Sequence, residues 1–453
     1  MLTQTYSFDK SQNMILSAVK ELNIARLLRQ SNIRKACGVP VMAIFESLLL
    51  LVFHGKNLYR SLESKHNDHS ISKNAFYRFL SNPSFNWGRF LLLLAVRVTQ
   101  AFHKLTKDTR PKMLVLDDSV TPRHRSKAVE LLARVYDHVT HQYMRGFTLL
   151  TLGWTDGFSF VPIAFNLLSS AKTSNRYQEA SEDIDHRTNG WKARMGSMLH
   201  KPEAALRMIR SALDAGILVD YILMDSWFTT EPFLNELRRL GLDVIAMVKQ
   251  LNQTYLYHGR YYTLHQLSKV AMICNSGRMY RSLVVKTKKH SIPIRIVFVR
   301  NRNDKSEFLY LLTTDLALDD DEVIRLYGNR WSIETFFKAA KSLFSLCEEF
   351  QTRNYDSAVA HTALVFTRYT LLEWIRRHDN DPKAYGGLFF ALCDDVQDME
   401  LADALKSLMA LFAEIVNGWG TENAETIKSK LTNWIASQSA YIKALFPNLG
   451  WES

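Results

Sequence analysis

Lys112-Met-Leu-Val-Leu-Asp-Asp-Ser119 is a run of four apolar residues that ends on two acids and a hydroxyl. A run this short and this apolar reads as a buried β-strand, and it stops on charge. Downstream, residues 146–154 and 158–166 are two further β-rich runs joined by Thr155-Asp156-Gly157, which favour a tight hairpin turn. Lys201-Pro202-Glu203 opens a helical pattern that reaches Ala215 and stops at Gly216. Val219-Asp-Tyr-Ile-Leu-Met-Asp225 is a second buried strand ending in an acid. A helix over residues 231–240, stopped by Gly241, and a strand over 242–248 follow. The order strand, hairpin of two strands, helix, strand, helix, strand predicts an α/β core whose second half is parallel, with right-handed crossovers.

The chain around this core has 453 residues, too many for one hydrophobic core, so two or three units are expected. An apolar fraction of 47% with 23% charged residues describes a globular chain rather than a disordered one. Lys plus Arg exceed Asp plus Glu by 57 − 45 = +12, which favours a polyanionic partner, nucleic acid first and an anionic membrane second. The greasiest runs, residues 48–53 and 90–96, are far shorter than the ~20 apolar residues a spanning helix needs. Residues 1–10 lack the basic-then-apolar pattern of a secretory signal, so a cytoplasmic location is expected. Cys37, Cys274, Cys347 and Cys393 are scattered without C-x-x-C spacing and read as free thiols of a reducing compartment. The pairs His66/His69 and His138/His141 lack the i,i+4 spacing of helical metal ligands and are read as non-metal.

Both flanks of the core read as helical. On the N-terminal side the apolar-periodic stretches are residues 12–28, 41–53, 72–80 and 87–105. The third is short, basic and aromatic, with Ser72 as cap; it fits a helix that enters a major groove, and equally an ordinary packed helix. Residues 249–312 break the strand-helix rhythm with short β segments at 281–286, 292–299 and 307–313, a β-rich insertion. Helices are expected again over 358–377, 401–416 and 424–445, with coil at 379–382 and 385–387. The expected units are an N-terminal helical DNA-binding domain (1–108), a core in two parts (109–248 and 316–356) around the insertion (249–315), and a C-terminal helical region (357–453).

Between insertion and C-terminal region lies Tyr327-Gly-Asn-Arg330-Trp-Ser-Ile-Glu334-Thr-Phe-Phe-Lys-Ala-Ala-Lys341. As one helix, at about 100° per residue, it places Tyr327, Arg330, Glu334 and Lys341 within roughly 60° of one another, with Lys338 at the edge. Ile333, Phe336, Phe337 and Ala340 occupy the other sides. Arg330/Glu334 and Glu334/Lys338 also read as ordinary i,i+4 surface pairs. The functional reading is an acid that binds a divalent metal among cations that grip phosphates. Asp225 and the Asp117–Asp118 pair end strands, where ligand sites of parallel-containing sheets gather. Neighbours on a strand face opposite ways, so one member of the pair faces the site, and the residues alone leave open which.

Tyr327-x2-Arg330-x3-Glu334-x6-Lys341 resembles, spacing for spacing, the Y-R-E-K motif of bacterial insertion-sequence DDE transposases, the insertion-sequence-four-like group. Asp117-Asp118-Ser119 and Met224-Asp225-Ser226-Trp227 look like the two aspartate motifs of that group, and the resemblance covers roughly residues 110–356. It implies an RNase H-like mixed-sheet core with a β-rich insertion before the last acid. It implies Asp118, Asp225 and Glu334 as the metal-binding catalytic triad, Asp118 because the family's acid directly precedes a hydroxyl residue, here Ser119. Tyr327, Arg330 and Lys341, with Lys338 beside them, would contact DNA phosphates. Two Mg²⁺ ions are implied, with Mn²⁺ as substitute. So are double-stranded DNA at transposon ends and target, a homodimer in a synaptic complex, and a place at the nucleoid. Two departures stand out. Ser119 replaces the usual threonine, and residues 249–320 lack the insertion tryptophan that relatives stack on a flipped base. Tyr255, Tyr257, Tyr261, Tyr262 and Tyr280 are the aromatic substitutes there, and Arg123, Arg125, Lys127, Lys286, Lys288, Lys289, Arg300 and Arg302 are further candidate phosphate contacts. The alternative is a catalytically inactive relative that binds DNA as repressor or architectural protein; a third reading is an RNase H-like nuclease.

Overall fold

The structure, a computed structural model, describes residues 14–63, 71–106, 109–137, 140–249, 253–274, 280–300, 308–346, 348, 353–378, 383–417 and 424–438. His66, His69, His138, Cys347, Arg302 and the expected coil at 379–382 lie outside them. The described residues divide into two units: Pro83–Ala340, and those up to Asn82 together with those from Lys341 onward. The long N-terminal helix of the first unit, α6 below, therefore belongs with the sheet, and the division falls at 82/83 rather than near 108.

The chain starts with α1 (Met14–Glu21), α2 (Ile24–Gln30), α3 (Val41–Leu50), α4 (Leu58–Glu63) and α5 (Lys73–Leu80). The expected helix over 12–28 is broken at Asn23, whose φ of 48° is left-handed, a conformation asparagine tolerates better than most residues. Ser72 caps α5 as expected, accepting from the Ala75 amide.

The sheet unit opens with α6 (Trp87–Lys104), capped by Asn86 on the Arg89 amide. There follow β1 (Met113–Pro122), β2 (Ala133–Asp137), β3 (Gln142–Thr155) and β4 (Phe160–Leu168). Next come α7 (Asn189–Ser197), α8 (Lys201–Asp214), β5 (Tyr221–Met224), α9 (Glu231–Arg239) and β6 (Asp243–Met247). β3 runs antiparallel to β1 and to β4, whereas β5 runs parallel to β1 and β6 parallel to β5. This mixed sheet in the order β4-β3-β1-β5-β6, flanked by helices, agrees with the expected RNase H-like core. Its strands are apolar on both faces because helices cover both: Leu114, Val115, Leu116, Ile222, Leu223, Val244 and Ile245 are all fully buried.

The insertion comprises β7 (Thr254–Tyr257), β8 (Arg260–Thr263), α10 (Leu264–Cys274), β9 (Tyr280–Thr287), β10 (Pro293–Arg300) and β11 (Phe308–Thr313). β11 pairs antiparallel with β6, so the sheet continues β6-β11-β10-β9-β7-β8. The insertion lengthens the core sheet instead of standing apart from it. Then come α11 (Asp320–Gly328) and α12 (Trp331–Ser342). On α12, Phe336 packs its ring 5.4 Å from that of Phe160 on β4. Phe160 in turn lies over Gly153, where an added Cβ would meet the ring at 2.1 Å.

The chain closes with α13 (Tyr355–His378), α14 (Tyr385–Asn417) and α15 (Ala424–Ser437). Within the other unit, α13 is buried from Tyr355 to Ala358 and almost continuously on to Glu373. Its Arg368 donates from Nε to the Leu49 carbonyl at 2.9 Å and from Nη2 to the Leu48 carbonyl, satisfying groups that the C-terminus of α3 leaves open. The coil expected at 385–387 is the first turn of α14. Tyr385 stacks on Tyr369 and donates to buried Glu373, and that anchoring outweighs a helix penalty of about 1 kcal/mol for each glycine. No helix among the described residues is long and apolar enough to cross a membrane. Cys37 and Cys393 are free thiols.

Gly153→Ala is expected to force the Phe160 ring off Gly153 and against Phe336. Overpacking of this kind costs about 1–3 kcal/mol, and urea unfolding checks it; an unchanged midpoint would contradict the packing described.

Candidate active site

Strand alternation separates the two adjacent acids of β1. Asp117 Oδ2 receives Arg330 Nη1 at 2.9 Å, and its Oδ1 accepts the Asp118 amide at 2.8 Å. Arg330 Nη2 reaches Glu334 Oε1 at 2.6 Å, so one guanidinium bridges the acid of β1 and the acid of α12. Asp225 follows β5, the parallel neighbour of β1, and its charge is felt at both Asp117 and Tyr327. Its Oδ1 accepts the Trp227 amide at 2.9 Å, which fixes the turn leaving the strand. Asp117, Asp225, Glu334, Arg330 and Tyr327 are thus brought together.

Asp118 is not among them. It faces the opposite side of the sheet, where Lys201 Nζ at the start of α8 donates to its two oxygens at 2.9 and 3.0 Å. The hydroxyl that follows an acid in sequence says nothing about which way the acid points; the pleat decides it. Lys201 also lies 4.6 Å from the ring of Trp227, which is partly exposed.

The expected single helix from Tyr327 to Lys341 is two helices. α11 ends at Gly328, Asn329 donates its Nδ2 to the Leu326 carbonyl at 3.1 Å, and i→i+3 bonds run from Arg330 to Tyr327 and from Ile333 to Arg330. This tight turn carries Arg330 itself, between Tyr327 on α11 and Glu334 on α12. Lys338 and Lys341 lie farther along α12, both exposed.

The electrostatics follow from crowding. Burial pushes the Asp117 carboxyl up to about 7, with the nearby Asp225 and Asp118 charges adding to it and Arg330 opposing. Burial first, then the Asp225 and Asp117 charges, push the Tyr327 phenol up to about 12 against the influence of Arg330, so it stays a protonated donor. Among the described residues its buried hydroxyl finds no hydrogen-bond partner, and neither does that of Thr151 on β3, the residue directly across from Asp117. Among the described residues no group of three His, Cys, Asp or Glu is already arranged around an ion position. The donor chemistry nevertheless fits a hard divalent cation. Two carboxylates share one arginine beside a third, Asp225, and a buried phenol lacks an acceptor.

Of the other expected contacts, Arg125, Lys127, Lys286, Lys288 and Lys289 are exposed and Arg123 is half-buried. Tyr255 is buried and offers no platform; Tyr261 is exposed, with Lys288 Nζ 5.5 Å from its ring. Sequence reading passed over Lys201, Trp227 and Thr151. Trp227 was legible as an aromatic two residues past a strand-end acid, whereas Lys201 and Thr151 come to the acids only through the crossover and the β1/β3 register.

Two family models match the chain: a DDE superfamily endonuclease model over residues 47–261 and a transposase DDE domain model over residues 199–371. Together they take in the three acids and the turn with Arg330, and they support a DDE transposase. Among curated proteins nothing matches significantly. The structure of the Drosophila P element transposase strand transfer complex aligns with 94% of this chain and 99% of that chain at 8% identity; its TM-score of 0.20 is too low to carry an argument.

Asp117 yields a signed pH dependence. Folding raises its carboxyl from 3.8 to about 7, so the folded chain keeps a proton that the unfolded chain releases. Stability from this group is therefore lost as pH rises through that window. Without divalent ions, Asp117→Asn is expected to melt at or above the wild type at pH 8, and the difference is expected to vanish near pH 4. A variant markedly less stable than wild type at pH 8 would contradict the crowding of charge described.

Proposed function

We propose that this chain is a DDE transposase of the Y-R-E-K group. It binds the terminal inverted repeats of an insertion sequence as a homodimer, cuts the DNA at the element's ends and joins the freed 3′ ends to target DNA. Asp117, Asp225 and Glu334 are its three acids. The observation that carries this reading is the Arg330 bridge, which gathers the acids of β1 and α12 beside Asp225 and beneath an unsatisfied phenol.

Two Mg²⁺ ions, or Mn²⁺ in their place, held by these carboxylates would activate the attacking oxygen and stabilise the leaving oxygen of an in-line phosphoryl transfer. The chain's own residues do the rest. Arg330 holds the acids' excess charge in the absence of DNA, and its planar fork suits a phosphate as well as a carboxylate. A phosphate arriving at Arg330 draws the guanidinium toward itself and frees oxygens of Asp117 and Glu334. Tyr327, protonated and without an acceptor, donates its hydroxyl to the same phosphate. Lys338 and Lys341 follow the DNA backbone along α12. Asp118, paired with Lys201, ties β1 to α8 and takes no direct part. Water serves as nucleophile for cleavage and a DNA 3′ hydroxyl for joining, with no covalent link to the protein. The reaction takes place in the cytoplasm, at the nucleoid.

The test is cleavage of a plasmid carrying the inverted repeats that flank the gene. Asp117→Ala, Asp225→Ala and Glu334→Ala are each expected to lower cutting by about a thousandfold or more while binding to the ends survives. Asp118→Ala is expected to cut within roughly tenfold of wild type, as loss of a half-buried pair affects packing more than chemistry. Activity in the Asp117 variant with loss in the Asp118 variant would overturn the assignment of the first acid. Normal cutting by the Asp225 and Glu334 variants would overturn the reading as a whole.

A further inference from the structure

The hairpin of β2 and β3 extends past the end of β1 and carries a row of tyrosines and arginines. In its register Arg134 stands opposite Arg145 and Tyr136 opposite Tyr143, so these four side chains share one face. The rings of Tyr136 and Tyr143 meet edge-on at 5.0 Å. The Arg134 guanidinium lies 4.1 Å from the Tyr143 ring, and that of Arg145 lies 4.8 Å from the ring of Tyr177. Tyr143 is 61% exposed and Tyr177 44%.

Within the sheet unit Arg176, Arg187, Arg194, Arg207, Arg295 and Arg330 each pair with a carboxylate. Arg134 and Arg145 pair with none among the described residues. The strands supply no acid to this face either, since Asp137 lies at the opposite parity to Arg134 and Tyr136. An arginine stacked on a ring keeps the N–H edges of its plane turned outward and loses little freedom on meeting a phosphate.

Parity also fixes where this face lies. Tyr143 and Arg145 are separated from Thr151 by even numbers of residues along β3, and Thr151 stands directly across from Asp117. The tyrosine–arginine face is therefore the outward continuation of the sheet face that carries Asp117. Arg145 is six residues along the strand from Thr151, or about 20 Å at ~3.4 Å per residue. Duplex DNA advances by about 3.4 Å per base pair, so this distance corresponds to roughly six base pairs.

We propose that the β2–β3 hairpin face is a DNA-backbone contact surface, with Arg134 and Arg145 on duplex phosphates roughly six base pairs from the phosphate at Asp117. The proposal rests on the transposase reading above. Tyrosine- and arginine-rich faces also suit protein partners, but an unpaired cationic row continuous with the acid-bearing face favours the polyanion.

The experiment is equilibrium binding of the full chain to a labelled duplex carrying one inverted repeat and its flank, in chelator, over a range of KCl. Arg134→Gln with Arg145→Gln is expected to weaken binding by roughly tenfold or more and to flatten the slope of log K against log salt by about 1.8, two contacts at about 0.9 each. Arg134→Lys with Arg145→Lys keeps the slope and loses part of the affinity. Tyr143→Ser weakens binding without a comparable change of slope. Trimming the duplex to fewer than about six base pairs on one side of the cleavage position should erase the difference between wild type and the glutamine variant. If the glutamine variant keeps wild-type affinity and slope, this proposal falls and the transposase reading stands. The same holds if its only change is a loss of self-association in sedimentation, which would make the face a protein interface. If the wild type itself binds no DNA, the transposase reading falls first. Thermal melts of each variant separate lost contacts from lost fold, and the lysine variant repeats the test with the charge kept.

Discussion

One guanidinium organises the acid cluster. Three carboxylates approach each other where the parallel pairing of β1 with β5 stops, in mid-strand for β1 rather than at its expected end, and Arg330 is the cation placed between two of them. It also opposes the rise that burial, with the Asp225 and Asp118 charges adding to it, imposes on Asp117. The position of Arg330 depends on a detail of backbone: the turn at Asn329 that ends α11 one residue before it. A continuous helix would have fixed Arg330 in a row with Tyr327 and Glu334. The turn instead places it between two helices whose relative geometry the sheet dictates.

The sheet holds that geometry through contacts remote from charge. The Phe160 ring lies on Gly153 because no side chain occupies that spot, and Phe336 rests on Phe160. Glu334 sits two residues before Phe336 on the same helix, so the seat of one aromatic ring sets how far the carboxylate stands from the strand ends. On the other face the ion pair of Asp118 with Lys201 fastens β1 to the crossover helix. Two neighbouring aspartates thus point to opposite faces, Asp117 to Arg330 and Asp118 to Lys201.

Most of the core was legible because its signals are local. Buried strands are continuous apolar runs, Gly216 and Gly241 stop their helices, and Thr155-Asp156-Gly157 turns a hairpin. Glu334 and Asp225 were legible for the same reason, each being an acid at the end of a strongly patterned element. What escaped was decided by partners distant in sequence. The choice between Asp117 and Asp118 depends on which helix covers which face of β1, and the following serine carries no information about that. β2 is five residues of alternating burial at an edge, too short to stand out from a loop. The continuity of the insertion with the core sheet rests on the pairing of Thr313 with Ile245, which no window of sequence contains. The broken helix at Asn329 reads as continuous because asparagine and arginine both tolerate a helix, and only the capping bond of Asn329 reveals the stop.

The grip of Arg368 on the carbonyls of Leu48 and Leu49 also orders events in time. The sheet unit is one uninterrupted stretch, Pro83–Ala340, all of it synthesised before α13 begins. The helices before it are different. Their core closes around α13, which is synthesised more than 250 residues after α5, and until then the end of α3 has lost its partner for those carbonyls. The helices that precede the sheet unit thus gain their contacts with α13 only after the acid-bearing sheet has been synthesised.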